Sequence, residues 1–562
     1  MDTAAGVVDV VHALSSFLVC VGSGAVTMRG IGAALVVAVM AISAVADPAG
    51  VATVGTVFET SFASAGHPAN AFTDIEVDVV FTSGTQAWTV PAFWSGGDTW
   101  TVRFAPPRPG DYRYRIKATG EQNGGFDAGG RLLTVRPYEG RNRILARGFV
   151  RVADDRRHFS HADGTPFFWL GDTWWKGLSK RMSFDDFREL AADRHAKGFT
   201  VVQIVCGPYP DEQMLQPCWE TEGGMPYLDL EFCEVNLRAF DAVDRRLRHL
   251  VEVGMMPAIV GGWGRPQAGG RSTLEQVGIE GFKRHWRHLV ARYASLPVVW
   301  IVGGEAKDAF GPWSELAQFV KRIDPYGHPL CHHSPGDPRT TIKDGSAFDF
   351  DMVAIGHDGL GTAAKTLDLV KACREQEPRR PVVCGEACYE RHMQTNFEDI
   401  QRHVFWSLIL GGAAGHTYGA AGIWQAGIEG DPGIDPVYDW ATWREGMAYP
   451  GATQLGIGRR LLEEYEWWRF EPHPEWVEKG CFCGGIPGEV RFVYRPKGRI
   501  YDWKGPVLKD IEPDVPYSAF YFDPVRGRRF ALGPVVAPKG EFRAPRLPAP
   551  QDWVLVLERA RP

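Results

Sequence analysis

The sequence predicts an α/β fold, a (β/α)8 barrel flanked by an N-terminal and a C-terminal β-sandwich. Three observations carry this. Between about Asn142 and Glu464, eight short apolar runs alternate with amphipathic segments, the rhythm of parallel strands and crossover helices. On either side the pattern changes to period two with Gly- and Pro-rich turns, as in small antiparallel sheets. Two of the apolar runs also end on an acid behind a glycine: PVVWIVGGEAKD (297–308) delivers Glu305, and PVVCGEACYE (381–390) delivers Glu386. A buried strand that emerges on a carboxylate is where barrel enzymes place their chemistry.

At 562 residues the chain exceeds one ordinary core, and several domains are expected. Its composition is globular, with 44% hydrophobic and 23% charged residues. A net charge of −7 without a basic stripe argues against a nucleic-acid partner. Near the start, Met28-Arg29 opens an apolar run, Ile31 to Val45, that ends in small residues before Asp47-Pro48. That is the layout of a signal peptide over 28–46. Residues 1–27 carry Asp2 and Asp9 but no Lys or Arg, unlike an n-region, and read as an extension ahead of the true start. The run is short for a bilayer, so no stable membrane span is expected after cleavage and the protein is expected to be secreted or periplasmic.

Ten cysteines do not form a disulfide framework: Cys20 precedes the expected start and nine is an odd remainder. One bridge among Cys206, Cys218 and Cys233 is left open. Cys481-x-Cys483 has the wrong spacing for zinc, and no metal or other cofactor is expected.

Along the chain, an immunoglobulin-like sandwich is expected over 47–138, from the alternation in 75–81, 99–104 and 111–116 with the turn-rich 105–110 between them. The barrel is assigned 139–464. Its expected strands are 167–170, 200–205, 256–260, 298–302, 329–332, 352–355, 381–384 and 413–418. Ser183 with acids behind it starts one helix, and Gly254 ends another running from 234 to 253. Further helices are expected over 282–293, 313–323, 363–373 and 397–410. A doubly wound sheet is the alternative, but the first strand lacks a Gly-rich phosphate loop. The strands 489–494, 518–522 and 553–557, with a hairpin turn at 523–527, make 465–562 a second β-sandwich.

Two carboxylates at the exits of strands four and seven fit glycoside hydrolysis. One acid protonates the leaving oxygen, and in retaining enzymes the other attacks the anomeric carbon. Around them, Asp172, Gln203, Trp263, His332, His357, Asp358, His416, Tyr418 and Trp424 fall at strand exits or in the loops beyond and are candidates for holding sugar. Tyr418 or His416 is expected to keep the attacking carboxylate ionised. His332-His333 and His357-Asp358 lack the spacing of a metal motif and read as hydroxyl-binding or orienting groups.

Three stretches then carry a resemblance: FFWLGDTWW (167–175), GEACYE (385–390) and GGAAGHTYG (411–419). With them the chain resembles the apiosidase-like glycoside hydrolases, a branch of the retaining (β/α)8 clan, over nearly all of the expected mature sequence. That resemblance implies Glu305 as acid/base and Glu386 as nucleophile, and it adds Tyr389 to the substrate-binding candidates. It also implies a C-terminal domain of the kind labelled collagen-binding, although nothing in these strands points to collagen. Two positions depart from the pattern: Gly304 stands where the clan usually has Asn, and Glu305 where characterised apiosidases have Asp. The expected function is a secreted, metal-independent retaining hydrolase acting on a plant or microbial polysaccharide side chain. Two rivals stand beside it, a non-catalytic carbohydrate-binding protein on a degenerate barrel and a metal-dependent barrel hydrolase.

Overall fold

Eight parallel strands close into a barrel between residues 169 and 418 in the computed structural model. It describes residues 50–560 except 67–68, 120–125, 127–128, 210–213, 265–271, 435–437 and 500–501. The expected extension 1–27 and signal peptide 28–46 lie outside the described residues.

The barrel strands are β1 (Trp169–Trp174), β2 (Val201–Val205), β3 (Met256–Val260), β4 (Val299–Gly304), β5 (Leu330–Ser334), β6 (Asp351–Ala354), β7 (Val382–Glu386) and β8 (Gly415–Tyr418). Every residue of β2, β3 and β4 is buried, which is why they read as unbroken apolar runs. β1 pairs β8 with Asp172 opposite Tyr418, closing the ring. β1 lies later than expected. Pro166–Phe167 belongs instead to a three-stranded antiparallel sheet with 159–161 and 150–152. Apolar continuity through FFWLG could not show where the chain leaves one sheet for the next.

Helices follow each strand: α1 (Phe184–Lys197), α2 (Leu237–Val253), α3 (Thr273–Tyr293), α4 (Trp313–Ile323), α5 (Pro338–Thr341), α6 (Gly359–Glu375), α7 (Glu398–Leu410) and α8 (Pro450–Leu462). The Ser183 hydroxyl accepts the Asp186 N–H to start α1. Gly254, at φ +95°, ends α2 in the left-handed region that glycine alone adopts without cost. α3 begins earlier than expected, at a Ser272/Glu275 capping box, and bends at Gly278.

The N-terminal domain is β-rich. Strands 50–53, 131–136, 110–119, 76–83, 86–96, 99–104 and 58–63 lie side by side in that order. The long strand Gln86–Gly96 pairs with 76–83 through its first half and with 99–104 through its second, wrapping the sheet around Val79, Phe81, Val102, Phe104 and Leu133. Arg103 fixes the domain to the barrel. Its guanidinium donates to Asp244 of α2 at 2.5 Å, and Arg292 of α3 grips the same carboxylate. Burial opposes charge on Asp244, but the two guanidiniums outweigh it and hold the carboxyl down at about 2.

Beyond α8, strands 471–472, 482–486, 490–495, 553–559, 517–522 and 529–534 form a six-stranded sheet. The 523–527 turn joins its last two strands in a hairpin, as expected. Phe492, Tyr494, Phe520 and Val556 merge with the barrel core, and Arg402 of α7 makes a two-pronged pair with Asp552. All nine cysteines among the described residues are free thiols, so the bridge left open among Cys206, Cys218 and Cys233 does not form. No helix among the described residues is long and apolar enough to cross a membrane.

Candidate active site

Both glutamates leave their strands through an irregularity. β4 advances three residues, Ile301 to Gly304, against two on β5, and β7 skips Gly385 in its pairing with β6. Bulges of this kind re-aim the next side chain, and here the next side chains are Glu305 and Glu386. Glu305 also sits at φ +48°, a region that costs a residue with a side chain on the order of 1 kcal/mol or more.

Glu386 is gripped on both oxygens. His357 Nε2 lies 2.9 Å from Oε1, and His333 Nε2 lies 3.2 Å from Oε2. His357 Nδ1 accepts the Tyr389 N–H at 3.1 Å, so a neutral ring carries its proton on Nε2 and donates it to Glu386. Burial alone would raise this carboxyl, but the two histidines set against its oxygens prevail and hold it well below the usual range. The side chain nevertheless keeps 16% of its surface exposed, enough to be reached by a substrate.

Glu305 meets the same cluster from the other side. Trp263 Nε1 donates to its Oε2 at 3.3 Å, and the Trp263 ring lies 5.7 Å from that of His333. Trp175 packs at 5.4 Å against both rings. The glutamates are therefore joined through Trp263 and His333. Trp263 accounts for Gly304: a Cβ there would fall 2.1 Å from the indole, so an Asn could not stand at this position with the indole in place.

The other expected residues divide. His357 touches Glu386, and Tyr389 and Trp424 wall the site beside it, their rings 6.3 Å apart with the Tyr389 ring 4.4 Å from His357. Burial and the Glu386 charge push the Tyr389 phenol well up. Gln203 runs across the barrel interior to donate to Gly385 O of β7.

Four expectations are corrected. Asp172 is fully buried with its oxygens taken by Arg194, Trp174 and the Thr173 amide, leaving none for sugar. His332 points away from the site to Thr341 of α5, because alternation along β5 sends His332 outward and His333 inward. His416 is buried beside Phe405, and burial lowers it to about 3. Tyr418 donates to Glu390 at 2.5 Å, so it supports that acid and not Glu386. Asp358 sits at the start of α6, its amide donating to Thr362. Sequence reasoning read His332 and His333 together as orienting or hydroxyl-binding groups but put only His332 among the sugar-holding candidates, and the alternation was the signal that separates them. It missed Trp175 and His392 as site residues. His392 stands 4.7 Å from His357, with Nδ1 3.6 Å from Asp439. Among the described residues no group of three or more His, Cys, Asp or Glu is placed to hold a metal ion.

This arrangement offers one ionised, reachable carboxylate and a second acid across a shared aromatic wall. A family model described as the apiosidase-like catalytic domain matches residues 153–469, which hold every residue of this site. The chain belongs to the apiosidase-like family. It is a glycoside hydrolase, and the apiosidase-like domain is the barrel. A second model, a domain of unknown function (DUF5060), matches residues 54–119 in the β-rich N-terminal domain. No curated protein matches the chain.

Solved structures share the apiosidase-like fold. One, a glycoside hydrolase, is 21% identical, covering 74% of this chain and 98% of its own at a TM-score of 0.63. A candidate glycoside hydrolase from Bacteroides vulgatus ATCC 8482 is 19% identical and covers 91% and 100% at 0.69. A glycoside hydrolase family 5 structure from the same organism is 20% identical and covers 74% and 93% at 0.62.

Proposed function

We propose that the protein is a retaining glycosidase with Glu386 as nucleophile and Glu305 as acid/base, acting on a polysaccharide side chain outside the cytoplasm. The observation that carries this is the grip of His333 and His357 on Glu386, which favours the anion while leaving it open to substrate. In the first step Glu386 attacks the anomeric carbon as Glu305 gives its proton to the departing oxygen. In the second, Glu305 takes a proton from water, and that water releases the sugar from Glu386 with its configuration kept. Trp263, donating to Glu305 Oε2, holds the carboxyl group in position for both steps. The apolar run 31–45 supports export, which N-terminal sequencing of the secreted chain checks.

The deciding experiment pairs two measurements on a panel of aryl glycosides and pectic oligosaccharides. NMR of the first product should show the anomer of the substrate, and a 2-deoxy-2-fluoro glycoside should leave its mass on the peptide bearing Glu386. A first product of inverted configuration refutes the two-step route. Binding without turnover, in wild type and Glu386→Gln alike, supports a carbohydrate-binding protein instead.

A further inference from the structure

Large apolar side chains left in water are unevenly spread over this molecule. Eleven are exposed among the described residues, and six of them cluster after β6, β7 and β8: Leu360 in the first turn of α6, and Met393, Phe397, Ile428, Tyr438 and Trp440 on the connections that follow β7 and β8. Trp440 is 69% exposed and Met393 53%. A contiguous apolar surface rimmed by polar groups marks a place where something binds.

The three loops interlock. Met393 N–H donates to Tyr438 O, and Asn396 Nδ2 donates to His357 O at 2.7 Å. Asp439, between Tyr438 and Trp440, is buried with an oxygen 3.6 Å from His392, whose ring abuts His357. The chain of contacts thus runs from Glu386 through His357 and His392 to the backbone that carries both exposed aromatics. Five residues of the β7 loop, Cys388, Arg391, Met393, Gln394 and Asn396, hold positive φ, so the loop is held in one strained shape.

We infer that Tyr438, Trp440 and Met393 form a stacking platform for a sugar unit of the substrate beyond the one whose bond is cleaved. The platform rests on the glycosidase reading above. Flat aromatic faces suit the apolar faces of sugar rings, and continuity with the Glu386 surroundings identifies the occupant as glycan, not a protein partner. The enzyme therefore favours oligosaccharides over single-sugar glycosides.

The test compares kcat/KM on an aryl glycoside and on oligosaccharides of two to four units for wild type, Trp440→Ala and Tyr438→Ala. Phe530→Ala, an exposed aromatic in the C-terminal domain, is the control. In the platform variants the oligosaccharide-to-aryl ratio should fall about 3- to 10-fold, the size of one aromatic stacking contact, and the control should keep it. A ratio unchanged in both platform variants overturns the inference and leaves the glycosidase reading intact. If wild type cleaves no glycoside, that reading fails. Affinity electrophoresis in polysaccharide gels then decides: retardation lost in Trp440→Ala supports the platform, and no retardation of wild type overturns it. Dimers of wild type that Trp440→Ala abolishes assign the patch to contact between copies and overturn it as well.

Discussion

His357 joins Glu386 to the Tyr389 backbone: one ring nitrogen lies 2.9 Å from the carboxylate, and the other takes the amide N–H at 3.1 Å. The amide occupies Nδ1 as its acceptor, so the ring proton sits on Nε2 and the ring meets Glu386 as a donor. With His333 on the second oxygen, the carboxylate is stabilised as an anion far below neutral pH.

Replacing His357 by Ala removes the side chain that hydrogen-bonds this carboxylate. A hydrogen bond to a charged group contributes about 1.5–3 kcal/mol, so the Glu386 pKa should climb by about one to two units. The sign follows from the charge: losing a donor to the anion favours the protonated form. The acid limb of the pH–kcat/KM profile should move upward in the variant, and a profile that merely drops in height would assign His357 another role.

Trp263 was a candidate for holding sugar, and in the structure its N–H addresses Glu305 while its ring fills the space over Gly304. Trp263→Phe keeps most of the ring and deletes the donor. Deglycosylation, where Glu305 acts as base, should slow about tenfold with folding preserved. Pre-steady-state kinetics on a glycoside with a good leaving group separates that step from the first. Gly304→Asn should cost far more, since its Cβ would collide with the indole 2.1 Å away.

The barrel was legible because β2, β3 and β4 are buried on both faces and leave unbroken apolar runs, and because glycine followed by acid marks strand exits. The site was less so. His332 and His333 are chemically identical in the sequence, and only the pleat decides which faces the cavity. Asp172 and Tyr418 were assigned to substrate because they lie at strand exits, yet a charge there also closes a barrel when a helix supplies its partner. Arg194 of α1, twenty-two residues on, is that partner for Asp172 and leaves no periodic trace. The bulges that aim Glu305 and Glu386 are likewise features of pairing, which one strand's sequence does not display.

Asp172→Asn separates the two roles considered for that residue. Arg194 is fully buried and keeps a contact with Asp193, but its partner at 2.6 Å would lose its charge. Breaking one side of a buried pair costs about 3 kcal/mol, which urea denaturation should register. KM per folded molecule should stay at the wild-type value, and a selective rise in KM would restore the sugar-binding reading.

Glu390 gives the fold a dependence on pH. It is fully buried and accepts hydrogen bonds from Tyr418 and from the Gly451 amide in the first turn of α8. Burial raises its pKa from 4.5 to about 7, with the two donors opposing the rise. Between those values the folded chain binds more protons at this site than the unfolded chain. The contribution is therefore fully present below about pH 4.5 and is lost as pH rises through 7, an effect of about 3 kcal/mol at most. Other groups titrate across this range, so the difference between proteins is the informative quantity. Glu390→Gln cannot ionise, and its stability relative to wild type should improve from pH 5 to about pH 7 and level off above it. Urea denaturation at four pH values measures this, and parallel curves for the two proteins would show that Glu390 stays ionised in the native state.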